Sequence, residues 1–379
     1  MMSILIEQLI NITDALFLGH VGDVELGASA LAGIWFLAIY MLGFGFSLGL
    51  QVVIARRNGE QRYAETGKTF FQGLFFLLIL AVLLCLLSKI FSPVLLKHLI
   101  TSDDVYNAVI RYLDWRIWGL LFSFPFLALR SFLVGITQTK ALNMAAFTAV
   151  LVNIPLNWLL IFGFDMGISG AAIASSFAEM CSLAVLAAYM FRHIDKKAYG
   201  LYWHIDITVL KEVFSISVWS MLQFFTSVAI WFLFFVAIER LGETELAVSN
   251  IVRSVSALFS VIVNALAGVT GSLVSNLIGA GEKKQVFPLC HKIIRLGYAI
   301  GYSIDCFCVV LSPAHYRGLY GKSRYHTACM AAFSCHAIEL LLCTTRLRLS
   351  ECSNRNGSNT DGIHFSGDNN YCLSVLLMG

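Results

Sequence analysis

The sequence predicts an all-α polytopic membrane protein made of two six-helix lobes that are related by a parallel repeat, with the second lobe incomplete. Three observations lead to this fold class. Of the 379 residues, 58% are hydrophobic and only 13% are charged, and the mean hydropathy is +0.77; soluble domains carry about 25% charged residues. Nine apolar runs are long enough to cross a bilayer. Two loop motifs of the first half also recur in the second half.

Each predicted span is an apolar run of roughly 20 residues, the length of helix that crosses about 30 Å of hydrocarbon. The chain enters the first span without the basic region and small-residue cleavage site of a signal peptide, so we expect no cleaved leader. The nine predicted spans are residues 2–18, 28–54, 70–96, 110–135, 141–162, 168–191, 209–238, 246–277 and 287–311.

Basic residues are divided unevenly between the two sets of loops. The loops after even-numbered spans carry eleven Lys and Arg residues, whereas the loops after odd-numbered spans carry three. Because cytoplasmic loops are enriched in Lys and Arg, we predict that the even loops and the N-terminus are cytoplasmic, in a plasma (inner) membrane. The net charge of +3 is too small to indicate nucleic-acid binding, so we expect no nucleic acid as partner. We expect a lipid bilayer as partner, and we expect a monomer.

Two loop motifs recur about 220 residues later in the chain. GHVGDVELGASALAG (19–33) is similar to ERLGETELAVSNIVR (239–253) at an offset of 220. GLQVVIARRNGEQRY (49–63) is similar to GSLVSNLIGAGEKKQ (271–285) at an offset of 222. The copies are six spans apart, an even number, so both halves enter the membrane in the same sense. Such parallel repeats have their axis along the membrane normal and are typical of transporters that bind substrate between the halves.

The repeat divides the chain into a six-helix lobe at 1–195, a cytoplasmic inter-lobe linker at 196–207 and a partial second lobe at 208–303. Residues 304–379 mix Cys, His, Arg and Ser without a clear period. A reading-frame change near residue 304 would explain both this shift and the missing helices, and resequencing the coding DNA tests it. A genuine soluble tail and a Cys/His metal site are the alternatives, although the spacings fit no standard zinc motif.

Polar residues inside the spans are the candidates for function, since an ionisable group at a helix centre costs about 2.5–3.5 kcal/mol on insertion scales. Asp14 lies near the outer end of the first span, where an interfacial position is the alternative. Asn153 and Asn157 share one face of the fifth span, and Pro155 between them removes a backbone donor. These oxygens suit Na⁺ or H⁺, with interhelical hydrogen bonding as the alternative. Ser175 of the sixth span offers either a hydroxyl ligand or packing.

Other embedded polar residues have less specific interpretations. Gln223 and Ser227 lie one turn apart on the seventh span, so they share a face, and we predict that they contact substrate. Glu7 and Glu179 are embedded carboxylates that are either functional or satisfied by neighbours.

The sequence contains no motif of an enzyme. TGKT (66–69) lacks the glycine that a phosphate-binding loop has five residues before its second glycine. HExxH, GxSxG and a triad-like set are absent as well. We therefore expect neither an ATP-driven pump nor a hydrolase, no enzymatic activity, and no cofactor besides a coupling ion.

NITDALFLGHVGD, ARRNGEQRYAETGK and especially NIPLNWLLIFGFDMGISGAAIASS resemble the multidrug and toxic compound extrusion (MATE) family, over about residues 1–303. The resemblance implies twelve helices in two lobes, and export of cationic or amphipathic drugs in exchange for Na⁺ or H⁺ by alternating access. Carried over by position, it implies a cation site formed by Asp14, Asn153, Asn157 and Ser175. Some members have an acid in place of Asn157, and many have a glutamate where Ser227 stands.

Two other functions stay open at this point. A lipid-precursor flippase of related fold would have a more basic central cavity. The embedded basic candidates Arg116, Arg130 and Arg253 lie near span ends, where snorkelling of the long side chain explains them. A non-functional product of a disrupted transporter gene is the other alternative, because the last three helices of the family are missing or altered in this sequence.

Overall fold

Helices are the only regular secondary structure in the described part of this computed structural model, which comprises residues 2–100, 102–202, 206–239 and 265–315. Ten α-helices are described there, with one 3₁₀ turn at Ile117–Gly119 and one π-helical turn at Leu159–Gly163. The helices are α1 Met2–Val21, α2 Asp23–Gly59, α3 Tyr63–Leu99, α4 Asp103–Arg116, α5 Leu120–Gly135, α6 Lys140–Trp158, α7 Gly167–His193, α8 Ile207–Glu239, α9 Ala265–Gly279 and α10 Lys283–His315.

Six stretches of the described chain are long and apolar enough to cross a membrane, and they coincide with the second to seventh predicted spans. These stretches are Val24–Gly59, Tyr63–His98, Asp103–Gly135, Lys140–Gly163, Gly167–His193 and Ile207–Val228. Helices α2 and α3 have 37 residues each, about 55 Å of helix. They therefore continue well beyond the apolar runs that revealed them.

The fourth predicted span is not one continuous helix. α4 begins earlier than predicted, and a 3₁₀ turn separates it from α5. The turn brings Gly119 against α7, where a Cβ on this glycine would lie 2.9 Å from the Glu179 Oε2 atom and 3.0 Å from the Ser176 Oγ atom. Only a residue without a side chain fits this approach, which explains a glycine inside an otherwise bulky apolar segment.

Two apolar cores hold the first seven helices together. The larger core is built on α5 and contains stacked or tilted rings, with Phe46 and Phe76 centroids 4.3 Å apart and Phe70 and Phe132 centroids 5.1 Å apart. The smaller core joins α1, α2, α4 and α7 through side chains such as Leu18. Asp14 lies one turn before Leu18 on α1, so the smaller core fixes the helix that carries this carboxylate.

The α2–α3 and α9–α10 turns have the same backbone structure at a constant offset of 220 residues. Gln61 and Gly281 both have positive φ, 60° and 78° respectively. The hydrogen bonds correspond in pairs: Glu60 N to Arg56 O with Ala280 N to Asn276 O, Gln61 N to Asn58 O with Gly281 N to Ile278 O, and Arg62 N to Arg57 O with Glu282 N to Leu277 O. The parallel repeat is thus present in the backbone.

The predicted offset of 222 for this second motif is wrong by two residues. Gly59 is equivalent to Gly279, not to Gly281, because the left-handed position of the turn is a glutamine in the first copy and a glycine in the second. The glycines matched by letter therefore occupy different places in the turn. One offset of 220 covers both motifs.

The crossing of α2 and α9 is symmetric about the repeat axis. A Cβ on Gly59 would lie 3.0 Å from the Asn276 Cα atom, and a Cβ on Gly279 would lie 3.1 Å from the Arg56 carbonyl carbon. Asn276 is the equivalent of Arg56 at the offset of 220, so each glycine meets the same backbone position of the other copy. The axis therefore passes through this crossing.

Polar contacts close the two lobes against each other at the linker end, which we define as the end with the α2–α3 turn, the α9–α10 turn and residues 194–202. Gln51 is buried there. The contacts are Gln51 Nε2 to Ser272 Oγ at 2.7 Å, Asn58 Nδ2 to Asn276 Oδ1 at 2.8 Å, Asn276 Nδ2 to Gly135 O at 2.9 Å, and Arg57 Nη2 to Glu212 Oε2 at 2.7 Å.

The predicted tail and part of the second lobe lie outside the described residues. The eighth predicted span is described only from Ala265 onward, and 316–379 are not described. α10 continues through residue 304 to His315. The domain boundary at 304 and the frame-change hypothesis stay predictions.

We predict that Gly59→Ala and Gly279→Ala each destabilise the protein by about 1–3 kcal/mol, the usual cost of overpacking. The added methyl would overlap the backbone of the other lobe, which a side-chain rotation cannot relieve. Thermal unfolding of the purified protein in detergent measures the change. Gly27→Ala is the control, since a Cβ there meets no described atom within 4 Å. Equal melting temperatures for all three variants would contradict the symmetric crossing.

Candidate cation site

Helices α1, α6 and α7 bring all four predicted cation-site residues together. Asp14 comes from α1, and Ser175 comes from α7. Asn153 and Asn157 both have no exposed surface, whereas Ile154 between them is 38% exposed. The four-residue spacing therefore does turn both carboxamides to the interior, as the helical period predicts.

The four side chains form a closed ring of hydrogen bonds. Asn157 Nδ2 donates to Asp14 Oδ1 at 2.5 Å, and Ser175 Oγ donates to Asp14 Oδ2 at 2.7 Å. Asn157 Nδ2 also donates to Asn153 Oδ1 at 3.1 Å, and Asn153 Nδ2 reaches Ser175 Oγ at 3.4 Å. Each oxygen of the carboxylate thus has one neutral donor from a different helix.

One oxygen of this ring has no partner among the described residues. Asn157 Oδ1 is buried and accepts no hydrogen bond there. An unsatisfied buried polar atom costs about 1–3 kcal/mol, so native structures rarely keep one without a reason. A carboxamide oxygen beside a carboxylate is the kind of ligand that a hard cation takes. The ring therefore has both a negative charge and an uncommitted oxygen to offer a cation.

Local backbone features place α6 and α7 close enough for this ring. The reversal between them uses two left-handed residues, Asp165 (φ 52°) and Gly167 (φ 53°), and such residues are usually Gly, Asn or Asp. Gly170 then lies against the π-helical turn, where a Cβ would be 3.0 Å from the Leu160 carbonyl carbon. π-helical turns inside α-helices are frequent at functional sites. The small residues of GISGAAIASS thus permit close packing, and Ser175 also contacts Asp14.

An ion pair lies one helical turn after Ser175 on α7. Arg116 holds Glu179 with two hydrogen bonds, Nη1 to Oε2 at 3.1 Å and Nη2 to Oε1 at 2.5 Å. Ser123 Oγ donates to Glu179 Oε2 at 2.5 Å. The Arg116 guanidinium also lies 3.8 Å from the centroid of the Phe36 ring.

The prediction that Arg116 snorkels is therefore wrong. Its side chain is only 12% exposed and is neutralised inside the bundle by Glu179. Of the two interpretations of Glu179, the structure supports a carboxylate satisfied by its neighbours. The side chains of Glu7 and Arg253 lie outside the described residues.

Comparison with known proteins shows which family the chain is similar to. Residues 1–159 match the MatE family model. The chain is 24% identical over 323 residues to the probable multidrug resistance protein NorM of Rhizobium meliloti, covering 83% of this chain and 68% of that protein. It is 24% identical over 311 residues to the multidrug resistance protein MdtK of Pectobacterium atrosepticum, covering 79% and 67% respectively.

The first 159 residues of this chain thus match the MATE family, as the sequence motifs predict. The fold of the chain agrees with solved structures of MATE transporters. A multidrug resistance MATE transporter of the MOP superfamily in an outward-facing conformation has a TM-score of 0.77 at 20% identity, over 89% of this chain and 75% of that one. A MOP superfamily transporter from Pyrococcus furiosus Vc1 has a TM-score of 0.76 at 20% identity, over the same shares. The all-helical, multi-pass membrane fold predicted from the sequence is confirmed.

The predicted substrate contacts, Gln223 and Ser227, lie on α8 and are both exposed. The face of α8 that contacts α2 is a different one. It carries Ser217, which donates to Phe46 O at 3.2 Å, and Phe224, whose ring centroid lies 5.2 Å from that of Phe44. None of the hydrogen bonds described for the Asp14 ring involves α8.

The sequence analysis does not predict that Arg116 and Glu179 form an ion pair. The available signal was that opposite charges occur in two predicted spans of the same lobe, where embedded charges need partners. The two residues are 63 positions apart, and only the packing of α4 beside α7 shows that they meet.

Proposed function

We propose that this protein is a cation-coupled antiporter that exports cationic or amphipathic drugs and toxic compounds by alternating access, with Na⁺ or H⁺ as the coupling ion. Relatives named as multidrug resistance proteins support the substrate class. The observation that carries the coupling is the hydrogen-bonded ring around Asp14, with its buried, unpartnered Asn157 Oδ1.

A purely structural role accounts poorly for this ring. An interhelical hydrogen-bond network stabilises a bundle when its members are satisfied, and a half-satisfied network is worse than apolar packing. Among the described side chains, no Lys or Arg forms an ion pair with Asp14, although six ion pairs are described elsewhere. A bound monovalent cation or a proton would neutralise the carboxylate, and a cation would also occupy the free oxygen.

The same contacts link cation binding to the position of α1. Asp14 is bonded to α6 through Asn157 and to α7 through Ser175. A cation that takes over these oxygens changes the bonds that hold α1 against both helices. Binding shifts the balance between two states only by the difference in affinity for each state. Helix α1 is therefore the element that we assign to coupling.

We further propose that the chain is oriented with its N-terminus and its even loops in the cytoplasm, as the basic residues suggest. In this orientation the closed linker end faces the cytoplasm. Asp14 is seven residues from the end of α1, about 10 Å, so it lies in the outer half of the membrane. Gln223 and Ser227 are assigned to substrate contact in the second lobe.

The flippase alternative has less support. A site for an anionic lipid precursor needs free positive charge, whereas Arg116 is neutralised by Glu179. No observation on the described residues favours this second function.

We predict that Asp14→Asn abolishes cation-driven efflux while leaving membrane insertion intact, because the site loses its only carboxylate. The measurement is efflux of a cationic dye from vesicles in which Na⁺ and pH gradients are imposed separately. Asp165→Asn is the matched control: it makes the same change at an exposed, left-handed loop position that Asn also tolerates. Parental efflux by Asp14→Asn under both gradients would show that this carboxylate does not couple transport.

Two adjacent serines allow a finer test of the ring. Ser175→Ala removes a donor to Asp14, whereas Ser176→Ala removes only a hydrogen bond to the Ala172 carbonyl within α7. Loss of one such bond is worth about 1 kcal/mol. We therefore expect Ser175→Ala to raise the cation concentration for half-maximal efflux by roughly fivefold, and Ser176→Ala to leave it unchanged. Equal values for the two variants would exclude Ser175 from the site.

A further inference from the structure

We propose that the opposite charges of the Arg116–Glu179 pair keep the net charge around Asp14 at −1, so that the site binds one monovalent cation with an affinity that changes when either charge of the pair is removed. The inference rests on the proposed function, because it assumes a cation at Asp14. It concerns two residues that touch neither the ring oxygens nor the cation, and that act through their charge.

The pair is built to hold its charges in fixed positions. Arg116 contacts both oxygens of Glu179, and a bidentate pair of this kind fixes geometry as well as charge. Ser123 donates to the same carboxylate from α5, and the Phe36 ring from α2 covers the guanidinium. Gly119 leaves the space that the guanidinium and the carboxylate occupy. Four helices and the 3₁₀ turn therefore define where the two charges lie.

The pair is also close to the ring. Ser175 and Glu179 are four residues apart on α7, so their Cβ atoms are about 5–6 Å apart on one face. Ser175 binds Asp14, while Glu179 binds Arg116. The opposite charges of Arg116 and Asp14 attract each other, and Tyr112, which precedes Arg116 by one turn on α4, is buried.

The charge balance follows from these neighbours. Asp14 and Glu179 would together present two negative charges, and Arg116 reduces the sum to one. One Na⁺ at Asp14 then makes the whole group neutral, which a low-dielectric surrounding favours. Removing Glu179's charge would leave no net attraction for a cation, whereas removing Arg116's charge would double it. Asn157 contributes no charge, so the sum stays at −1 as long as the charges of Arg116 and Glu179 cancel.

The test distinguishes charge from mere packing, because two variants break the same ion pair and change the sum in opposite directions. Glu179→Gln should weaken Na⁺ binding about tenfold, and Arg116→Gln should strengthen it about tenfold, since a unit charge several ångströms away matters on this scale at an effective dielectric near 20. The double variant restores the sum of −1 and should bind within about threefold of the parent. Equilibrium binding of ²²Na⁺ to the purified full chain measures all four proteins.

Two further proteins complete the design. Lys89→Gln breaks the exposed Lys89–Asp114 pair of the same lobe and should leave Na⁺ affinity unchanged. Asp14→Asn defines the binding that belongs to the site. A shift in the same direction for Arg116→Gln and Glu179→Gln would overturn the inference and leave the proposed function standing. Na⁺ binding that Asp14→Asn does not reduce, or no binding by the parent, would overturn the inference together with the Na⁺ form of the proposed function.

Discussion

The carboxylate of Asp14 is the constraint on which the functional half of this structure depends. A charge inside a helical bundle is costly unless it is paired and hydrogen-bonded. Here three neutral side chains from α6 and α7 surround it, two of them in direct contact, and they supply donors but no positive charge. The negative charge is thus stabilised without being neutralised. This difference separates the proposed binding site from an ion pair such as Arg116–Glu179, where the two charges satisfy each other.

The two ends of the bundle have different roles in the proposed alternating-access mechanism. At the linker end, the glycine crossing of α2 and α9 and the polar contacts around Gln51 hold the lobes together on the repeat axis. The Asp14 ring lies within the first lobe alone, toward the other end. In the proposed mechanism, the lobes rock about this crossing while each keeps its own fold, as in other transporters with repeats. The proposed cation would bias this motion through α1, because Asn157 and Ser175 hold this helix at Asp14.

Local sequence patterns predicted the parts of the structure that depend on helix geometry. The apolar runs located six spans, and the four-residue spacing of Asn153 and Asn157 placed both carboxamides on the buried face. The resemblance to the MATE family, and not the four-residue spacing, predicted that these two residues form one site with Asp14 and Ser175. The acid belongs to the first lobe alone, since Phe234 stands at the repeat-equivalent position.

Features that depend on contacts between distant segments were not readable from the sequence. The sequence comparison pairs the second repeat motif two residues out of register because it matches identical glycines. In the structure, Gln61 takes the left-handed position of the first turn, where the second turn has Gly281. The sequence places Arg116 near a span end, which favours snorkelling to the membrane interface. It does not show that Glu179 of α7 is the partner of this arginine. A side chain's depth in the membrane does not reveal what lies opposite, and for a buried charge the neighbour decides its role.

Diffraction from crystals soaked in thallium(I) tests the central claim most directly, because this monovalent cation scatters strongly and its anomalous signal locates it without reference to protein density. The account predicts an anomalous peak between the Asp14 carboxylate and Asn157 Oδ1 that disappears in Asp14→Asn and that added Na⁺ displaces. Parental crystals with no peak at this position, together with an intact ring of hydrogen bonds, would contradict it.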